Sequence, residues 1–172
     1  ERSLATHRIP YQVVGALPFY RRRVVRELMC YLKASQNFSD LESLAKVVNV
    51  PRRGFGEAKK EKLLLQGRPY LEQMAQEMPQ VQAFLDLLRD IKSLRPLEAL
   101  KQILYHTEYV KHLKKDSDIQ MVDAFQDVVA GFNSVEDLVM ASSFLEKDYG
   151  HGVKLMTAHA SKGLEFDRVF VV

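Results

Sequence analysis

Cysteine occurs once in this chain of 172 residues, at Cys30, which excludes an internal disulfide framework and fits a reducing compartment. No apolar run approaches the roughly 20 residues a membrane span needs, and no signal-peptide pattern opens the chain. The expectation is a soluble intracellular protein with no membrane partner. The five histidines, His7, His106, His112, His151 and His159, show no metal-ligand spacing, so no metal site is expected. Charge of one sign is scarce as well. The formal balance is only +3, so affinity for nucleic acid has to come from local clustering. No Gly-x-x-x-x-Gly-Lys-[Ser/Thr] occurs, and with it goes the loop that would cradle nucleotide phosphates. The stretch from Gly54 to Lys59 has glycines reminiscent of such a loop but lacks a third glycine and any preceding β run, and is rejected as one. Internal repeats and low-complexity segments are absent too.

With 47% hydrophobic residues, the chain can bury one respectable core, or one moderate and one small. Residues 12 to 15 read as a brief strand ended by Gly15, and Pro18 suits the first turn of a helix running to about Ala34. Along that helix Phe19, Val24, Val25, Leu28, Cys30, Tyr31 and Leu32 are apolar while Arg21, Arg22, Arg23 and Arg26 are not, which predicts one buried face and a basic start. Ser39-Asp40-Leu41-Glu42 reads as a capping box with Ser39 as the cap. A helix from Glu57 towards Gln66 can end at Gly67. From Pro69 to Lys147 the pattern is almost wholly helical: Val81, Phe84, Leu85, Leu88 and Ile91 form a core-facing stripe. Leu97, Leu100, Ile103 and Leu104 repeat it, as do Val122, Phe125, Val128, Val129 and Phe132, and Ser134 with Asp137 marks a further helix start.

The last twenty residues differ. Two short apolar runs bracket a loop in which Thr157, His159, Ser161, Lys162 and Glu165 crowd together, and a polar cluster between two buried strands is where α/β proteins place their chemistry. The order of elements suggests an insertion. The expected fold class is mainly α, a helical bundle over residues 36–149 inserted into a partial α/β domain made of residues 1–35 and 150–172.

The run Thr157-x-His159-x-x-Lys162-Gly163-Leu164-Glu165-Phe166, between two apolar runs, resembles motif V of the superfamily 1 DNA helicases of the UvrD, Rep and PcrA type. Ile9-Pro10-Tyr11, an apolar strand, Gly15 and Phe19-Tyr20-Arg21-Arg22 are similar to the family's segment around motif IV. Asn49-Val50-Pro51-Arg52-Arg53-Gly54-Phe55-Gly56 is similar to a segment early in the family's inserted 2B domain. The resemblance implies that the terminal segments belong to the second RecA-like domain, 2A, of the P-loop NTPase type, and that the helical insert is 2B. It further implies an ATP-dependent helicase moving 3′ to 5′ on single-stranded DNA with ATP and Mg²⁺. The family's acidic Mg²⁺-binding motif is absent and its motif VI would lie downstream. The chain reads as an excised piece that should neither hydrolyse ATP alone nor hold ATP or Mg²⁺ alone. Its terminal segments should pack against the bundle or each other, or remain poorly ordered.

Residue by residue, the resemblance implies that Thr157 and His159 face the backbone of single-stranded DNA, where short donors fix register without reading sequence. His159 merely capping the following turn is the competing reading. Glu165 matches a glutamate that accepts from the nucleotide ribose, and Gly163 would let the backbone turn just before it. Lys162 has three open roles: a DNA contact, a bridge to the first RecA-like domain, or a solvated cation. Arg22 and Tyr20 are candidates for pairing with phosphates and stacking on bases, against the alternative that Tyr20 is core. Arg52, Arg53, Gly54, Gly56, Lys59 and Lys60 resemble a helix-hairpin-helix turn that meets duplex DNA, with Phe55 as its buried plug; the bland alternative is an ordinary helix–helix turn. Lys111, Lys114 and Lys115 read as a solvated face.

Expected partners are single-stranded DNA, single-strand/duplex junctions, the remaining helicase domains in cis, and repair or replication proteins. The expected location is the cytoplasm and nucleoid of a bacterium or the nucleus of a eukaryote. A single-strand translocase, a helicase-nuclease subunit in recombination or repair, and a non-catalytic DNA-binding or protein-docking module remain as alternatives.

Overall fold

A computed structural model of the chain describes residues 9, 11–13, 19–146 and 152–171. Gly15 and Pro18, on which the expected strand end and helix start rested, lie outside them. The chain divides into two compact units, Arg23–Met140 and Glu1–Arg22 with Ala141–Val172. Among the described residues the fold is mainly helical, and no helix is long and apolar enough to cross a membrane.

The larger unit is organised by α1, Arg23–Gln36, which packs against four other helices: α2 (Leu41–Val47), α5 (Pro79–Asp90), α6 (Pro96–Thr107) and α8 (Asp116–Val129). Its first turns follow the expected pattern, with Val24 and Val25 buried and Arg23 and Arg26 exposed. Beyond them Leu28, Cys30, Tyr31 and Leu32 are buried as their apolar pattern predicts, and Met29, Ala34 and Ser35 are buried as well, so burial extends past the one expected face. A helix buried all round is a core helix rather than a surface one. Ser35 is tolerated there because its hydroxyl donates to the Leu32 carbonyl of its own helix at 2.8 Å. The expected boundary after residue 35 had placed this helix with the α/β part; its contacts put it among the helices. Its N-terminal end is a separate 3-10 turn, Phe19–Arg21, rather than a continuous run from residue 18.

The larger unit also holds α3 (Glu57–Gln66), α4 (Arg68–Glu77) and the single turn α7 (Tyr109–His112), and α9 (Val135–Glu146) begins in it and ends in the smaller unit. Gly67 ends α3 with a φ of 72°, as its sequence position predicts, and α4 starts at once. Pro69, Pro79 and Pro96 each occupy a first helical turn, where a missing N–H costs nothing. The stripe Val81, Phe84, Leu85, Leu88 and Ile91 is buried throughout. In the next two stripes Leu100, Ile103, Val122, Phe125 and Val129 are buried, and Leu97, Leu104, Val128 and Phe132 are half-buried at the margin. Ser134 accepts the Asp137 amide at 3.1 Å, the helix start its spacing predicted. Polar links supplement the apolar packing: Arg23 pairs with Glu27 at 3.1 Å and with Asp118 at 2.7 Å, and the Tyr109 hydroxyl donates to Glu27. Burial and the adjacent Glu27 carboxylate push the Tyr109 hydroxyl far above the ordinary tyrosine range, so it remains a donor.

In the smaller unit, β1 (Tyr11–Val13) pairs in parallel with β2 (Val153–Leu155), with Tyr11 opposite Val153 and Val13 opposite Leu155. The two terminal segments therefore pair with each other. Parallel neighbours need a crossover, and here the crossover carries the whole helical unit. The second apolar run was expected to be a buried strand and is not. Residues 169–171 carry no strand, and Val169, Phe170 and Val171 are 69%, 86% and 94% exposed. A strand is stabilised by its ladder, and among the described residues nothing pairs with this run.

The capping box also needs a correction. Asp40, one residue later than expected, caps α2 by accepting the Ser43 amide at 3.0 Å. Asp40→Ala should destabilise the chain by about 1 kcal/mol in chemical denaturation, and Ser39→Ala by less than about 0.5 kcal/mol. Equal losses would contradict this assignment of the cap.

Candidate nucleic-acid interface

The segment from Val47 to Lys60 is a turn held from both sides of the backbone. The Asn49 side-chain oxygen accepts two amides, those of Arg53 at 2.7 Å and Phe55 at 3.2 Å. One Arg53 guanidinium nitrogen lies 3.0–3.2 Å from the carbonyls of Val47, Val48, Val50 and Pro51. The other terminal nitrogen donates to the Tyr31 hydroxyl at 2.7 Å, and that hydroxyl donates to the Val50 carbonyl. Val47 and Val48 end α2, so a cation there satisfies orphan carbonyls and complements the helix dipole. The guanidinium also lies 5.0 Å from the Phe84 ring centre. Burial pushes the Tyr31 hydroxyl above its usual range, against the lowering effect of Arg53, which keeps it protonated.

Past Arg53 the chain turns through Gly54, whose φ is 74° and whose missing Cβ would meet Met78 Cε at 3.3 Å. Phe55 is fully buried, edge-on to Tyr70 at 6.3 Å between ring centres, in the plug position its sequence context suggested. Gly56 caps α3 in an extended conformation with no side-chain cap, and its carbonyl receives the amides of Lys59 and Lys60. The amides of Glu57 and Ala58 therefore precede the first intrahelical bond, on exposed residues.

The sequence counts five basic residues between positions 51 and 62, but they are not equivalent in space. Arg53 is committed inward. Lys59 folds back on its own turn, 3.2 Å from the Gly54 carbonyl and 3.5 Å from the Met78 sulfur. Lys60 pairs with the exposed Glu57 at 2.8 Å. Arg52 and Lys62 are exposed and make no side-chain hydrogen bond or ion pair among the described residues. Arg52 also lines an open groove of about 520 Å³ together with Phe84, Asp86, Asp90 and His106.

The run that resembles motif V forms a separate candidate. After β2 the chain folds into a compact turn: the Thr157 hydroxyl oxygen accepts the Ala160 amide at 3.2 Å, and the Thr157 carbonyl accepts the Ser161 amide at 3.1 Å. The Ser161 hydroxyl donates to the Ala158 carbonyl at 2.9 Å. Gly163 has a φ of 81°, a conformation suited to glycine, and leads into Glu165. Thr157, His159, Lys162 and Glu165 are all exposed. Because Thr157 uses its oxygen as an acceptor, its O–H is left to donate outward. Lys154 lies 5.6 Å from the Phe166 ring centre, tying β2 to the exit of the turn. In the motif IV segment Arg22 is exposed, but Tyr20 is buried and edge-on to Phe19 at 5.2 Å, so its ring offers no open face to a base.

Sequence reasoning did not single out Asn49, Tyr31 or Lys154. Asn49 carried a signal, since it opens the segment similar to the 2B turn. Tyr31 read only as one more apolar position in a helix.

A parallel strand pair followed by a polar turn, and a helical unit bearing a glycine turn, are the two candidate features among the described residues. The chain matches the UvrD-like helicase C-terminal domain over residues 1–134 and again over 69–172, and it belongs to that family. It is similar to the probable DNA helicase II homolog of Rickettsia conorii, 29% identical over 205 residues that cover 99% of this chain and 31% of that protein. It is also similar to DNA helicase II of Rickettsia typhi, 29% identical over 201 residues covering 99% of this chain and 30% of that protein. ATP-dependent DNA helicase PcrA of Staphylococcus epidermidis is 26% identical over 207 residues, covering 100% of this chain and 28% of that protein. The chain thus spans under a third of the length of these curated relatives. The aligned stretches exceed its own 172 residues, so the relatives carry residues here that this chain lacks.

The two glycines of the turn should respond differently to a methyl group. Gly54→Ala forces a side chain into positive φ and towards Met78, and should destabilise by about 1–2 kcal/mol. Gly56→Ala meets nothing within 4 Å and should cost less than about 1 kcal/mol. Thermal unfolding of the pair checks the order.

Proposed function

We propose that this chain is part of an ATP-dependent 3′–5′ DNA helicase or translocase, supplying the duplex contact of a 2B-type domain and the motif V loop. The observation that carries this reading is membership of the UvrD-like C-terminal family joined to a turn whose α3 start presents free amides beside an unpaired Arg52. A helix N-terminus with unpaired amides and a neighbouring guanidinium suits a phosphate oxygen. The placement of the helical unit between β1 and β2 supports reading it as an insertion into the RecA-like domain 2A.

In the smaller unit Thr157 and His159 present donors to a single-strand backbone, and Lys162 adds a cation nearby in sequence. Glu165, exposed beyond the Gly163 turn, fits a ribose hydroxyl as an acceptor. ATP bound in the parent would supply the free energy for translocation. This chain would contribute the ribose contact, while the phosphate loop lies elsewhere in the parent. Mg²⁺, which the family reading pairs with ATP, would be held with the nucleotide in the parent.

Fluorescence anisotropy of the 172-residue chain on a single-strand/duplex junction, over a salt series, tests the duplex contact. Junction binding should weaken with salt, and Arg52→Ala should reduce the log–log salt slope by about one. An unchanged slope, or no junction binding, would sink the assignment. For the motif V loop, Thr157→Ser should keep single-strand affinity because it retains both the turn acceptor and the donor. Thr157→Val should lose several-fold; equal affinity for the two would exclude the hydroxyl from the contact.

A further inference from the structure

We propose that Arg53 is a positioning residue for the DNA contact rather than a phosphate ligand: its guanidinium clamps the turn that aims Arg52 and the start of α3. The proposal rests on the reading that residues 52–60 meet DNA. Sequence alone treats Arg52 and Arg53 as a basic doublet, yet the structure divides them, one exposed and one half-buried with four carbonyls and a hydroxyl around it. Swinging Arg53 out to a phosphate would strip the α2 end of its cation and leave the Tyr31 hydroxyl without its donor. Such a rearrangement costs several hydrogen bonds to make one.

The clamp acts over a short lever. Arg53 is fixed through its side chain, and its own amide and that of Phe55 share the Asn49 oxygen. Phe55 is fixed again by full burial, and Gly56, the next residue, caps α3. Arg52 lies immediately before the clamp and the free amides of Glu57 and Ala58 shortly after it. The backbone of the proposed contact is thereby ordered before DNA arrives, and an ordered site binds more tightly because less freedom is lost on binding. Loosening the clamp should weaken binding without changing how many phosphates are neutralised.

That separation gives the test. Junction affinity of the 172-residue chain is measured over a salt series for the wild type, Arg52→Ala, Arg53→Met, Arg53→Lys and Tyr31→Phe, with amide hydrogen exchange read at Arg53 and Phe55. Arg53→Met and Arg53→Lys should each weaken binding about ten-fold at one salt concentration, with the wild-type slope and faster exchange at both amides. Lysine should not rescue, because it keeps the charge and loses the fork. Tyr31→Phe leaves the ring packing in place and serves if the Arg53 variants fail to fold; it should weaken binding about three-fold, also at constant slope. A slope reduced by about one in Arg53→Met, with affinity restored in Arg53→Lys, would make Arg53 a direct phosphate ligand and overturn the proposal. Unchanged affinity in Tyr31→Phe and in the folded Arg53 variants, despite faster exchange, would reduce the clamp to a fold element and overturn it as well. Failure of the wild type to bind the junction, or an unchanged slope in Arg52→Ala, would instead remove the underlying DNA reading.

Discussion

A helix that is apolar around most of its circumference has to be wrapped, and α1 imposes that requirement on the helical unit. From Leu28 to Leu32 no residue is left at the surface, so neighbours are needed on every side, and α2, α5, α6 and α8 provide them. Fully burying a Leu or Met side chain contributes about 1.5–3 kcal/mol, far more than any of the exposed ion pairs on the outer helices. The polar exceptions on α1 are satisfied within α1 or from outside the four wrapping helices: Ser35 by its own backbone, Glu27 by Arg23 and by Tyr109 of α7, and Tyr31 by Arg53 of the turn after α2. No buried side-chain polar atom among the described residues lacks a partner. The same central helix thus carries both the core and, through the Tyr31 hydroxyl, one anchor of the turn proposed to meet DNA.

That link explains why a short turn can be stiff without a disulfide or a metal. Asn49 accepts two amides and the two N–H groups of one Arg53 nitrogen are shared among four carbonyls, so the turn's backbone polar groups find partners without a regular ladder. The cost of partly burying a guanidinium is offset by the carbonyl dipoles and the Phe84 ring face. Glycine is required at position 54 by its positive φ, whereas Gly56 is required by nothing steric and leaves the α3 start uncovered.

Periodicity made much of the helical unit legible. The stripe from Val81 to Ile91, the Gly67 stop and the Ser134 cap are local features whose physics is contained in a few neighbouring residues. The errors arose where a partner distant in sequence decides. Met29, Ala34 and Ser35 are buried beyond the apolar set that the pattern marks, because four helices converge on α1. The choice of Asp40 over Ser39 as the cap turns on backbone angles that a four-residue pattern does not encode. Val169 to Val171 has the composition of a strand but finds no ladder among the described residues. Of the candidate site, the sequence pattern located both turns and the buried Phe55. It could not tell which arginine of the Arg52–Arg53 doublet points inward, since that depends on where α2 ends and where Tyr31 lies.

The electrostatic consequence is that local charge counting overstates this surface. The formal excess of three positive charges between positions 51 and 62 is not all available to a phosphate, because Arg53 is directed to carbonyls, Lys60 to Glu57 and Lys59 to the Gly54 carbonyl. Arg52 and Lys62 remain, with the partial positive charge of the α3 start. On the groove side Asp90 shares a surface with Arg52, as does Asp86, which is paired with Arg89 at 2.6 Å. The Asp90 carboxylate, unpaired among the described residues, disfavours a phosphate backbone within the roughly 8 Å over which charges act at physiological salt. In the proposed contact a duplex drawn by Arg52 would therefore favour the α3 start, where Glu57 is already paired with Lys60. Few cations placed on an ordered turn would make the proposed contact oriented and sensitive to salt rather than tight and diffuse.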